Sequence, residues 1–179
     1  MTISGLDEVR YLPASIPPHR PQPGASAAQR LQMVEIALAD QDNMVVDDRE
    51  LYRSGPSYTF DTVISLQQEL PDIEFNLIIG LDALLGFGSW YQWQDLMERV
   101  DIIAMTRPGW ELPSPLPPWW RDAMDRRSGD TAKIELININ PVDISATAIR
   151  QSILQGSNME SLLHPGVWQF IRSNNLYEQ

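Results

Sequence analysis

Residues 74 to 80, EFNLIIG, constrain the fold more than any other stretch of the chain. A nearly continuous apolar strand of this kind is buried on both faces of a parallel sheet. VDIIAMT, residues 100 to 106, repeats the pattern and is ended by RPG. Around these two runs, strand and helix signals alternate. EVRYLPA (8 to 14) reads as a strand closed by Pro13. After the proline-rich SIPPHRPQPGAS, Ser26 can cap a helix over AAQRLQMVEIALAD, whose Leu31, Val34, Ile36 and Leu38 favour one side. NMVVDDREL is a second strand, and YTFDTVISLQQEL a helix that stops at Pro71. Residues 111 to 132 form a proline-rich excursion with one short helix. KIELINI is a strand, followed by a helix from ISATAIR and a last one around GVWQFIRSNNLY. The alternation predicts an α/β fold with a parallel sheet in one domain, 1–179, whose C-terminal helical portion spans about 144–179. Ligands of such sheets bind beyond the carboxyl ends of the strands. Three strand exits here are chemically loaded: PASIPPHRP, GLDALL and TRPG.

Composition removes several function classes. The formal charge of −11 argues against a duplex-binding surface, which needs a surplus of Lys and Arg. Lys133 is the one lysine, so phosphate chemistry falls to arginine, backbone amides or histidine. With no cysteine there is no disulfide, thiol nucleophile or Cys-zinc site, and the two histidines, His19 and His164, lie far apart in sequence. No protein-held metal is expected. No apolar run reaches the roughly 18 residues of a membrane helix. MTISGLDEVR lacks a basic region followed by an apolar stretch, so a soluble cytoplasmic protein is expected. A homo-oligomer is left open.

DISATAIRQSILQG, residues 143 to 156, puts Ser145, Thr147 and Arg150 on the start of a helix. If Asp143 or Ser145 caps that helix, early amides at the positive end of its dipole face outward, and Arg150 reaches the same region. That is an anion site suited to phosphates. On the pattern alone a plain N-cap with a solvated arginine is favoured by roughly two to one, because capping is so common.

ISATAIR resembles the I-S-S/A-T-x-I-R signature of bacterial nicotinate-nucleotide adenylyltransferases, members of the nucleotidyltransferase α/β superfamily. LPASIPPHRP resembles that family's P-P-H-K/R loop, SGPSYTFDTV its P-S-Y-T-x-D-T segment, and LIIGLDALLGFGSWYQWQDL its I-I-G-x-D-x-L…W stretch. TRPG matches R-R-P-G apart from Thr106. LLHPGVWQFIRSNNLY is similar to the closing L-L-P-x-x-V-x-x-Y-I…L-Y, with His164 where the family has proline. Six motifs in family order cover almost the whole chain. The resemblance implies a Rossmann-like nucleotidyltransferase fold that transfers AMP from ATP to nicotinate mononucleotide, giving deamido-NAD and pyrophosphate with Mg2+. Attack on the α-phosphorus would be direct and in line, so the protein positions reactants and neutralises charge.

The resemblance also assigns residues. Arg150 and His19 take catalytic roles, with His19 beside Arg20 in the loop facing the substrates. Gly80, Asp82, Arg107, Ser145, Thr147 and Arg150 are expected to hold ATP. Ser57, Tyr58, Thr59, Trp90, Tyr91 and His19 are expected to hold the mononucleotide, with Trp90 as the flat platform for the pyridine. Simpler readings stand beside these: Asp82 as a helix cap, SWYQW as a core aromatic cluster, Thr59 as an ordinary capped helix start, His19 as a solvated loop residue. His164 reads as structural or exposed.

One part of the family pattern has no counterpart. The family opens with a glycine-containing strand, G-G-T/S-F-D-P, leading into H-x-G-H, and the resemblance begins near the tail of the following helix. In the implied strand order 3-2-1-4-5 that first strand is central. A start assigned too late is the expected explanation, a genuine remnant the other. In its given form the chain is therefore expected to transfer at least about a hundredfold more slowly than one carrying those donors. The alternatives are a catalytically weak or inactive nucleotide-binding module, or a sister adenylyltransferase with another phosphate acceptor.

Overall fold

The computed structural model describes residues 5–15, 24–106, 112–120, 134–138 and 144–178. The chain divides into two compact units, Met1–Ser57 with Val142–Gln179, and Tyr58–Pro141.

The second unit holds the two apolar runs as parallel strands. β3 (Asn76–Gly80) pairs with β4 (Asp101–Thr106), and β4 pairs with β5 (Ile134–Asn138), giving the order β3-β4-β5. Ile78 lies opposite Ile103, and Ala104 opposite Leu136. Four consecutive positions of β4, Ile102, Ile103, Ala104 and Met105, are buried or nearly so, as expected for a strand covered on both faces. α2 (Thr59–Glu69) precedes β3, and two short helices, α3 (Leu81–Leu85) and α4 (Trp93–Met97), separate β3 from β4. α2 presents Val63 and Leu66 to the core. Leu84, Phe87, Leu96 and Ile102 are fully enclosed there. Trp119 adds its ring 5.4 Å from Phe87 and donates its indole N–H to the Leu85 carbonyl at 3.2 Å, which satisfies its buried polar atom. Gly88 is needed for this packing: a Cβ there would stand 2.5 Å from the Trp119 side chain.

In the first unit, β1 (Val9–Tyr11) pairs in parallel with β2 (Met44–Val46), and the strands are shorter than the sequence runs predicted. Between them α1 (Ala27–Leu38) starts at a capping box. The Ser26 hydroxyl accepts from the Gln29 amide and the Gln29 side chain accepts from the Ser26 amide. Of the Leu31, Val34, Ile36 and Leu38 side that periodicity favoured, Ile36 joins the packed cluster, and the face that packs is Met33, Ile36 and Ala37. Those three meet Val167 and Ile171 of the last helix, α6 (Pro165–Ser173), with Ile153 of α5 (Ala146–Leu154) in the same cluster. His164 is structural, as the sequence implied: its Nδ1 accepts from the Gly166 amide at 3.2 Å and caps α6, with Pro165 at the first helical position.

Past the end of β2, the buried Asp47 carboxylate is gripped by Arg49. Arg49 Nε lies 2.8 and 2.9 Å from its two oxygens, Nη2 lies at 2.7 Å, and the Arg49 amide donates at 3.1 Å. Arg10 Nη1 from β1 adds a longer contact at 3.4 Å. Burial raises the Asp47 pKa, but the bonds from Arg49 outweigh it, and the net value falls below the ordinary carboxylate range. A carboxyl whose pKa is lowered by folding contributes stability above its unfolded value, about 3.9, and loses it as pH falls through the folded value. The Asp47→Asn variant should therefore be less stable at pH 7 by about 2 kcal/mol. Urea unfolding should show that this gap closes as the pH drops below 4.

Candidate active site

Two helix starts carry most of the residues that the sequence singled out. α5 begins at Ser145, whose Oγ accepts from the Ala148 amide at 3.0 Å. The cap takes that one amide, and Ile149 bonds back to the Ser145 carbonyl. The amides of Ala146 and Thr147 are the ones for which the helix itself provides no acceptor. Thr147 is exposed on the first turn, and its Oγ1 accepts from Arg150 Nη2 at 3.3 Å. That bond folds the guanidinium back over the positive end of the helix. The hydroxyl protons of Ser145 and Thr147 remain available as donors. Ser145, Thr147 and Arg150 thus stand together at one solvent-facing helix tip, the geometry expected of an anion site. Asp143, the other cap considered, lies outside the described residues.

α2 starts at Thr59, and its N-cap, Tyr58, makes no side-chain capping bond. The simple capped start considered from sequence is not what forms. The first amides of α2 receive no oxygen from the cap residue, while Thr62 bonds back to the Tyr58 carbonyl at 3.3 Å. Ser57, in the first unit, is buried, and its Oγ accepts from the Ser15 amide at 3.2 Å. Ser15 ends the described part of the exit from β1.

In the second unit, Gly80 closes β3 and serves as the N-cap of α3, so Asp82 sits inside the first turn rather than capping it. The Asp82 carboxylate curls back toward the strand end: a Cβ on Gly80 would lie 2.6 Å from Asp82 Oδ1. Only glycine at 80 leaves the carboxylate that position. The SWYQW aromatics separate into two roles. Trp90 leans on the enclosed Phe87, ring centroids 5.1 Å apart, and joins the core from its margin. Tyr91 is 47% exposed and stacks against Tyr58 at 4.6 Å with the rings tilted by 30°. Thr106, which replaces the first arginine of R-R-P-G, is buried and bonds through its hydroxyl to Asn138 Oδ1, tying the end of β4 to that of β5. His19, Arg20 and Arg107 lie outside the described residues. Among the described residues, no group of three His, Asp or Glu side chains could hold a metal ion, and no helix is long and apolar enough to cross a membrane.

Residues 4–152 match the family described as cytidylyltransferase-like, so the chain belongs to a class of nucleotidyltransferases. It is 41% identical to a protein of Aeromonas hydrophila subsp. hydrophila named "Probable nicotinate-nucleotide adenylyltransferase". That match covers 97% of this chain and 84% of the relative. A protein of the same name from Shigella boydii serotype 18 is 37% identical over 97% of this chain and 85% of its own. The chain belongs to the nicotinate-nucleotide adenylyltransferases. A solved structure, Plasmodium falciparum nicotinic acid mononucleotide adenylyltransferase complexed with NaAD, aligns with a TM-score of 0.76. It covers 98% of this chain and 85% of that one at 17% identity, a likeness of fold.

Proposed function

We propose that the protein transfers AMP from ATP to nicotinate mononucleotide, releasing deamido-NAD and pyrophosphate. The observation that carries this reading is the capped, solvent-facing start of α5 with Ser145, Thr147 and Arg150 gathered on it, in a chain 41% identical to a relative bearing that activity's name. The phosphates of ATP take the open amides and the guanidinium there. Gly80 and Asp82 supply close backbone approach and a carboxylate able to accept ribose hydroxyls. The uncapped start of α2 takes the anionic end of the mononucleotide, with Ser57 and Thr59 adding hydroxyls. Trp90, Tyr91 and Tyr58 offer the flat faces that a pyridine ring packs on. His19 and Arg107 complete the assignment. Mg2+ enters with ATP, carried on the substrate's own phosphates.

A phosphate oxygen of the mononucleotide attacks the α-phosphorus, and the bond from that phosphorus to the bridging oxygen breaks in line. Positioning and charge neutralisation supply the rate. The cell compartment is the cytoplasm.

A second reading keeps the binding and drops the turnover; His164, the one histidine among the described residues, is occupied as a cap. Pyrophosphate release on mixing the protein with ATP, Mg2+ and nicotinate mononucleotide separates the two. Transfer is expected, with nicotinate mononucleotide preferred over phosphopantetheine. Calorimetric binding of the mononucleotide with no pyrophosphate would establish the second reading, and neither signal would remove both.

A further inference from the structure

The proline-rich excursion after β4 has no part in the function assigned so far. In LPSPLPPWW, residues 112 to 120, the two tryptophans are buried and the residues before them are mostly exposed. Trp120 backs Trp119, with ring centroids 5.5 Å apart. One large buried ring would be enough to anchor the segment, but Trp119 reaches further. Its ring lies 5.4 Å from Phe87 and 5.8 Å from Trp93, and its Nε1 donates to the Leu85 carbonyl at 3.2 Å. Its Cβ stands against Gly88, where an added Cβ would lie only 2.5 Å away. All four contacts fall on one stretch, residues 85 to 93, and Trp90 lies inside it.

Trp90 is held on both sides by residues that Trp119 touches. Its amide donates to the Phe87 carbonyl at 2.9 Å, and its own carbonyl accepts from the Trp93 amide at 3.3 Å. Its ring leans on Phe87 at 5.1 Å. Between Trp90 and Trp93 the chain passes through Gln92, a non-glycine residue in the left-handed region at φ 50°. Backbone of that kind is strained for a residue with a side chain, and it persists where the surrounding packing fixes it. Trp119 supplies such packing at Phe87 before the turn and at Trp93 after it.

We infer that Trp119 is a positioning residue for the pyridine end of the mononucleotide, a wedge behind residues 85 to 93 that fixes the face Trp90 presents. This rests on the reading of Trp90 as the pyridine platform. Trp119 does not meet the ligand; it acts through Phe87, Trp93 and the turn between them. A ring locked by the packing behind it loses little freedom when a ligand stacks on it, so the contact is worth more. The excursion that carries Trp119 thereby becomes part of the recognition of the mononucleotide.

The test is calorimetry with nicotinate mononucleotide, run beside inorganic tripolyphosphate and magnesium as a probe of the α5 start. Trp119→Phe keeps a ring but loses the N–H to Leu85, and should raise the mononucleotide Kd about fivefold. Trp119→Leu also loses both ring contacts and should raise it about tenfold. Neither residue 119 nor the turn belongs to the α5 tip, so the tripolyphosphate Kd should stay within about twofold. Trp119→Phe carries the test if the leucine variant is unfolded. Because Trp119 acts through Trp90, adding Trp119→Phe to Trp90→Leu should weaken the mononucleotide by less than about twofold more. The full fivefold loss in that background, or an equal loss for tripolyphosphate, would reduce Trp119 to a core residue. An unchanged mononucleotide Kd in both Trp119 variants, with Trp90→Leu weakened, would overturn the role of Trp119 and leave the Trp90 reading standing. An unchanged Kd in Trp90→Leu itself would remove that reading and this inference with it, as would no mononucleotide binding by the unaltered protein.

Discussion

Arg150→Gln lowers adenylyl transfer at least a hundredfold while leaving the melting temperature within a degree or two. The guanidinium is exposed, and the one bond it makes among the described residues is to Thr147 Oγ1 at 3.3 Å, so little folding energy is lost with it. Surface substitutions of this kind stay within about 0.5 kcal/mol. In the proposed reading its charge, by contrast, faces the place where the triphosphate gathers negative charge during transfer. Removing one donor aimed at transition-state charge typically costs a factor of about 10²–10³. Steady-state pyrophosphate release should show the loss mainly in kcat, because Ser145, Thr147 and the helix amides still hold the ground state. A loss confined to the KM for ATP would make Arg150 a binding residue alone.

Phe87→Ala destabilises the protein by about 3–5 kcal/mol, a large part of the stability of a domain this size. The ring is fully enclosed, and it touches Trp90 at 5.1 Å and Trp119 at 5.4 Å, so no neighbour can collapse into the gap without leaving its own packing. Guanidinium unfolding measures the loss. Trp90 rests on Phe87, so the same variant should weaken nicotinate mononucleotide under conditions where it is still folded. Phe87→Leu fills most of the volume and should recover most of both. A variant that loses stability and keeps the unaltered mononucleotide Kd would detach Trp90 from the pyridine.

The parallel strands were legible because EFNLIIG and VDIIAMT have no polar alternation, and only burial on two faces explains that. The start of α5 was legible because Ser145 has a hydroxyl at the one backbone position where capping needs it. The short strands β1 and β2 were overrun, since Pro13 and Asp47 end pairing that residue propensity alone would extend. The inner face of α1 was legible only in part: Ile36 was named, but Met33 and Ala37 are weak markers of burial, and contact with α6 decides which stripe turns inward. Asp82 could not be placed from spacing: a cap and a first-turn residue differ by one or two positions, and Gly80 takes the cap. Phe87 was hidden between two glycines in a stretch whose tryptophans draw attention first.

Among the described strands, β4 alone has a hydrogen-bonded neighbour on each side. Its amides are shared between two ladders that hold it from both sides, whereas β1 and β2 share a single three-residue ladder. Isolated two-stranded pairings are marginal in water. Amide exchange will therefore be graded along the chain, slowest at Ile102–Ala104 and fast at Val9–Tyr11. Among the described strands, β1 and β2 are thus the ones most ready to breathe.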